Sequence, residues 1–180
     1  MSTEHIRCWP TNDPLYIAYH DEEWGRPVRD ERGVYERLCL EGFQSGLSWI
    51  TILRKREAFR EAFVGFVPER VAEFGEADVE RLLGNAGIVR HRGKIEATIA
   101  NANATLALRV AGTPLNELFW EHVDTPEPEA LAKRLRAAGF RFLGPTTLYA
   151  AMQACGVVND HIPTCWVRDA VERERRGTPS

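Results

Sequence analysis

The stretch NDHIPTC, residues 159–165, sets His161 and Cys165 four positions apart near the end of a 180-residue chain. On one helical turn or in a tight loop both side chains can face a single point, and both are donors that suit a metal such as zinc. A structural zinc takes four nitrogen or sulfur ligands in a tetrahedron, so another pair is needed. Cys8 and His20, which flank WPTNDPLYIAY, supply one. A Cys2His2 site built from these four would pin an irregular N-terminal arm to the far end of the chain. Neither half has the compact cysteine spacing of a zinc finger. The spacing therefore equally allows His20 and His161 as ordinary polar residues and the cysteines as small core fillers. Cys39 in RLCLEG and Cys155 in MQACG have apolar neighbours on predicted helices and are read as core. His5, His91 and His122 have no evident partner.

A second chemical signal is Glu41. The run CLEGF sets a carboxylate in an otherwise apolar stretch, where burial is costly unless a partner or ligand compensates. A third is Arg90, Arg92 and Lys94, which follow the turn GNAG. A helix, a glycine-containing turn and a new helix around DVERLLGNAGIVRHRGKIEATIA, residues 78–100, have the form of a helix-hairpin-helix. Such a turn, here with Gly87, offers backbone N–H groups to a phosphate. It is equally the form of two packed helices with solvated cations.

Helices position these groups. Period-2 alternation is scarce, whereas Ile95, Ile99, Ala102, Leu106 and Val110 step along one helical face, with Gly93 near its entrance and Gly112 beyond its exit. Helices are also predicted over 31–43 and over 48–63 with Ser48 as N-cap. Pro68 and Pro114 suit first turns, with Thr113 as a cap for the latter. Further helices are predicted over 129–138, ending at Gly139, and over 145–155, stopped by Gly156. The expectation is an all-α single domain over 1–180, with an irregular arm over 1–30. DTPEPE (124–129) and a tail from about 172 to 180 should be loosely held.

Composition narrows the class. One hundred and eighty residues, 44% hydrophobic and 27% charged, suit one domain with a sizeable core. A net charge of −3 does not suggest nucleic-acid binding through bulk charge, so any basic surface must be local. The opening MSTEHIRCWPTNDP lacks an apolar signal region, and no stretch is long enough to span a bilayer. A cytoplasmic address follows as the expectation, with the cysteines reduced.

Four segments, DPLYIAYHDEEWG (13–25), LEGFQSGLSWITIL (40–53), AGIVRHRGKIEA (86–97) and MQACGVVNDH (152–161), closely resemble the 3-methyladenine DNA glycosylase I family of base-excision repair. They run in the family's order across most of the chain, from residue 8 to about 165. The resemblance implies an all-α helix-hairpin-helix glycosylase with a structural zinc held by Cys8, His20, His161 and Cys165. It places the base pocket on Glu41, Trp49, Tyr16 and Tyr19, with Trp9 as a wall. The arm is one residue shorter between Cys8 and Asp13 than the family pattern, which bears on Trp9. The implied partner is double-stranded DNA carrying an alkylated purine, met by a monomer.

The implied chemistry is coherent. N3-methylation leaves adenine cationic and a good leaving group, so an aromatic cage attracts it by cation–π forces and Glu41 reads its edge. The family lacks the catalytic aspartate that is usual among helix-hairpin-helix glycosylases, which leaves Glu41 as the catalytic carboxylate and Asp160 as an alternative helper. No lysine lies in the pocket motifs, so monofunctional hydrolysis without lyase chemistry is expected, with Lys94 on phosphate. FQSGLSW (43–49) offers Gln44 and Leu47 as a wedge for the space a flipped base leaves. Two other classes stand beside this: a non-catalytic zinc-stabilised DNA-binding module, and a metallohydrolase, which four protein ligands disfavour.

Overall fold

A computed structural model describes residues 5–177. Among the described residues there are ten α-helices: α1 (Pro14–Ala18), α2 (Glu31–Gln44), α3 (Trp49–Ala62), α4 (Pro68–Val71), α5 (Glu76–Leu83), α6 (Arg92–Val110), α7 (Leu115–Trp120), α8 (Pro128–Ala137), α9 (Pro145–Cys155) and α10 (Arg168–Arg175). There is no strand among the described residues.

The centre is α2, whose residues from Val34 to Phe43 are buried on every side except at Arg37. Buried despite Glu36 and Glu41, α2 packs against α3, α6, α7 and α9. Phe43 lies 4.6 Å from Phe59 of α3 in an aromatic cluster that continues through Phe63 and Phe66. Glu41 is consequently carried into the interior by its own helix.

Helix ends follow local chemistry where glycine or proline sets them. Gly156 stops α9 in the left-handed region at φ 77°, and a Cβ there would come within 2.5 Å of the Gly25 carbonyl oxygen. That close approach lets Val28 N–H donate to Cys155 O at 2.9 Å and seats the arm on α9. Ser48 takes the N-cap position of α3, but its Oγ meets Thr51 Oγ1 at 2.8 Å and caps no backbone N–H. Pro114 itself is the N-cap of α7, so Thr113 has no capping role.

Four expectations are refined. The arm is irregular over 5–13 and 24–30, but between them Asp13 caps α1 by accepting from Leu15 N–H, and the chain widens into a π-turn over Tyr19–Glu23; residues 1–4 lie outside the described residues. The hairpin is looser than expected, because residues 84–91 separate α5 from α6. The α6 stripe drifts off the core, leaving Val110 89% exposed, since steps of four outrun 3.6 residues per turn. Part of the tail is held: α10 runs to Arg175, which is buried with Nε donating to Gly156 O and a guanidinium N–H to Val157 O, while residues 178–180 lie outside the described residues.

Candidate active site and metal centre

The metal expectation rests on four residues, and the fold brings all four together. Ligand atoms of Cys8, His20, His161 and Cys165 lie within 4.8 Å of one another. His161 Nδ1 is 3.3 Å from both Cys8 Sγ and Cys165 Sγ, and His20 Nε2 is 3.6 Å from Cys165 Sγ. A zinc tetrahedron with ordinary bond lengths spaces its nitrogen and sulfur ligands by about 3.5 Å. The other ring nitrogens are also engaged. His20 Nδ1 meets Asp21 Oδ1 at 2.7 Å, and His161 Nε2 meets Trp24 O at 2.9 Å. Such outer partners fix the tautomer and aim the free nitrogen inward. Burial raises the Asp21 carboxyl, yet donation from Arg7, His20 and Trp166 brings it down to about 2, so it is ionised as an acceptor. The donor set therefore suits a metal, and four protein ligands leave no open position for water.

The pocket residues form a row of rings on the arm and the start of α3. Trp9 lies 5.1 Å from Tyr16, Tyr16 6.5 Å from Tyr19, and Tyr19 5.4 Å from Trp49. Trp9 thus joins the row despite the shorter arm. Arg56 grips Glu23 through two bonds of 2.6 and 2.8 Å, and Arg54 meets Asp13 at 2.5 Å, so α3 holds both ends of the α1 segment. A small, partly open void is lined by Tyr19, Leu40 and Trp49 together with Glu23, Glu36, Arg37 and Arg56, and Glu41 is not among its walls.

Glu41 is 7% exposed. It bears electrostatically on Tyr16 and Tyr19, whose hydroxyls burial and Glu41 both push up. Burial alone pushes the Glu41 carboxyl up to about 8, with no cation or hydrogen bond offsetting it. The indole N–H groups of Trp9 and Trp49 are also buried without a protein acceptor. An acid and two donors set among aromatic faces can read a flat, polar-edged, cationic ring.

Asp160 is committed elsewhere. Its carboxylate accepts from Tyr149 at 2.5 Å and from Gln153 at 2.9 Å, which ties the 159–165 segment to α9. The Tyr149 hydroxyl is pushed up to about 12 by that bond.

The expected DNA contacts divide. Leu47, on the turn after α2, is 42% exposed, and Gln44, the last residue of α2, is half-buried. Arg90 is exposed and without a carboxylate partner among the described residues. Three others make contacts within the protein. Lys94 is buried, and its Nζ donates to Phe43 O at 3.0 Å and Ser45 O at 2.6 Å, which leaves it no reach to a phosphate. Arg92 is held by Glu76 at 2.8 Å and by Glu80 and Glu96. The Gly87 N–H donates to Asn85 Oδ1 at 2.9 Å, and a Cβ there would meet Ala58 at 3.0 Å, so Gly87 serves packing. Lys94 as a brace for the wedge turn was not foreseen, because a lysine near two arginines in sequence reads as solvated.

Comparison with known proteins agrees with this geometry. Residues 9–169 match the methyladenine glycosylase family. A DNA-3-methyladenine glycosylase 1 from Escherichia coli (strain K12) is 48% identical over 177 residues, covering 88% of this chain and 95% of the relative. A crystal structure of a 3-methyladenine DNA glycosylase I superposes with a TM-score of 0.86 at 50% identity, over 89% of this chain and 98% of its own. The Staphylococcus aureus enzyme, solved for its recognition of 3-methyladenine, gives 0.84 at 35% identity, over 88% and 93% of the two chains.

Proposed function

The chain belongs to the methyladenine glycosylase family, and from that premise we propose how its residues release 3-methyladenine from duplex DNA by hydrolysing the N-glycosidic bond. The observation that carries the reading is the buried Glu41 carboxyl, without a protein partner, beside Tyr16 and Tyr19. Normal adenine presents no positive charge, so such a site gains little from it. The cationic lesion favours the ionised form of Glu41, whose proton passes to solvent, and the two charges pair in a low-dielectric setting where the attraction is strong.

Tyr16, Tyr19, Trp9 and Trp49 replace the stacking that the base loses on leaving the helix. The indole donors of Trp9 and Trp49 meet acceptors on the ring edge. Because methylation has already weakened the glycosidic bond, orientation and the charge of Glu41 suffice for water to complete the hydrolysis. No lysine amine is offered to the sugar, since Lys94 is bound to two carbonyls, and the expected product is an abasic site with an intact strand. Gln44 and Leu47 fill the space left by the extruded nucleotide, and Arg90 meets the backbone.

Cys8, His20, His161 and Cys165 hold a structural zinc, which supplies a cross-link and no chemistry. No helix among the described residues is long and apolar enough to cross a membrane. In this reading the protein works in the cytoplasm as a monomer.

The test is incubation with methylated duplex DNA followed by chromatography of the released bases and sizing of the strands. Free 3-methyladenine with unbroken strands is expected from the wild type, and a markedly slower release from Glu41→Gln. Duplex binding with no base released would make the chain a binding module instead.

A further inference from the structure

The loop between α8 and α9, residues 138–144, carries one of the most unusual side chains in the molecule. Phe142 sits in the left-handed region at φ 59°, and its ring is 49% exposed. Bulky residues rarely adopt that conformation, and strain of this kind persists only where the surroundings over-determine it. Phe66 shares the conformation at φ 53° but is completely buried, so packing accounts for it. Packing does not account in the same way for a half-exposed ring.

The surroundings do over-determine the loop. Asn101, buried on α6, accepts from Arg141 N–H at 2.8 Å and donates to Arg141 O at 3.2 Å. Both backbone groups of the residue before Phe142 are thereby clamped. The Phe142 ring lies over Gly93, where a Cβ would come within 3.4 Å of it, and edge-on to His91 at 5.9 Å. The carbonyl of Phe142 faces Gly42, next to Glu41. The loop therefore bridges the entrance of α6 and the end of α2, beside the wedge turn.

Its charge points the same way. Arg136, Arg141 and Phe142 line a surface groove together with Ser45 of the turn after α2. Most arginines nearby are neutralised: Arg134 by Glu121, and Arg92 by three glutamates. Arg136 and Arg141 are exposed and pair with no carboxylate among the described residues. In a chain of net charge −3, two free guanidinium groups flanking a preset aromatic ring form a local basic site continuous with the wedge.

We propose that the 138–144 loop is a second DNA-contacting element, in which Phe142 stacks on a base beside the extruded nucleotide while Arg136 and Arg141 take backbone phosphates. The proposal rests on the glycosylase reading. A ring against a base face is insensitive to sequence, as a repair enzyme requires, and each phosphate contact releases counterions and steepens the salt dependence.

The test uses the full chain, a duplex holding a tetrahydrofuran abasic analogue, an undamaged duplex and free 3-methyladenine. Phe142→Gly removes the ring and relieves the backbone at once, so it should melt no lower than wild type by more than a few degrees. Its affinity for the abasic duplex should fall about tenfold, within the range of one base–aromatic stack. Binding of free 3-methyladenine should be unchanged. Arg136→Ala combined with Arg141→Ala should reduce the slope of log affinity against log salt by about two.

Unchanged abasic affinity in a folded Phe142→Gly protein, or an unchanged slope in the arginine double variant, overturns the proposal. If Phe142→Gly does not fold, the arginine variant decides on slope alone, since Asn101 grips backbone atoms that the substitution keeps. Wild-type protein that releases base while the variants behave identically to it refutes the loop alone. Wild-type protein that releases none refutes the glycosylase reading and the loop with it.

Discussion

At the scale of single residues, Glu41 is held where it costs stability, and that cost has a sign that can be worked out. Its carboxyl would ionise near 4.5 in the unfolded chain and is pushed up to about 8 in the folded one. Between those values the folded chain retains a proton that the unfolded chain has released. Stability therefore falls as pH rises through this window, by up to a few kcal/mol on the order-of-magnitude scale of such shifts. Glu41→Gln keeps the shape and cannot ionise. The variant is expected to melt close to wild type at pH 5 and clearly higher at pH 8, while excising 3-methyladenine more slowly at both. Paired melting curves across that range check it. A difference independent of pH would mean that Glu41 is solvated or paired in solution.

At the scale of elements, Lys94 shows how α6 governs the turn between α2 and α3. Its ammonium bonds the carbonyls of Phe43 and Ser45, at the end of α2, where carbonyl groups lack intrahelical partners. Burial lowers its affinity for the proton, and the two carbonyls favour keeping it. Lys94→Met leaves both acceptors without a charged donor, so a loss of about 2 kcal/mol is expected in denaturant titrations. Excision from duplex should fall further than binding of the free base, because the turn bearing Gln44 and Leu47 loses its brace. Equal effects on both would show a general loss of fold. This brace also marks what the sequence could convey. Helices α8 and α9 were legible because each begins at proline and stops at or just before a glycine, and α2 and α3 because helical spacing runs through them. The α1 segment was not, since five residues have no period and its shape depends on Arg54 meeting Asp13 and Arg56 meeting Glu23 across the fold. Likewise Arg90, Arg92 and Lys94 look alike in sequence, and only tertiary packing separates an exposed cation, a glutamate-bound one and a buried one. Phe142 carried no signal beyond its flanking glycines, because a positive φ at phenylalanine follows from the Asn101 clamp and from no local preference.

At the scale of the whole molecule, the Cys8, His20, His161 and Cys165 cluster and the aromatic row behave as one unit. Trp9 packs edge-on to His20 at 4.7 Å and to Trp24 at 5.1 Å, and Trp24 packs on His161 at 4.7 Å. Tyr19 precedes His20 in the same π-turn. A metal held by the two histidines would therefore also fix the neighbouring rings of the proposed pocket. Metal cross-links of this kind can contribute on the order of 10 kcal/mol in isolated peptides, and less here because Arg26, Arg29 and Arg175 also tie the ends together. Preparations are expected to hold one zinc per chain. Removing it should lower the melting temperature, change the tryptophan fluorescence and slow excision in parallel, and restoring zinc should recover all three. Cys165→Ser should reproduce the loss without chelator. If metal-free protein melted lower yet excised base at the wild-type rate, the arm would hold its rings without the cross-link. If it melted unchanged, the cluster would hold no ion that matters to the fold.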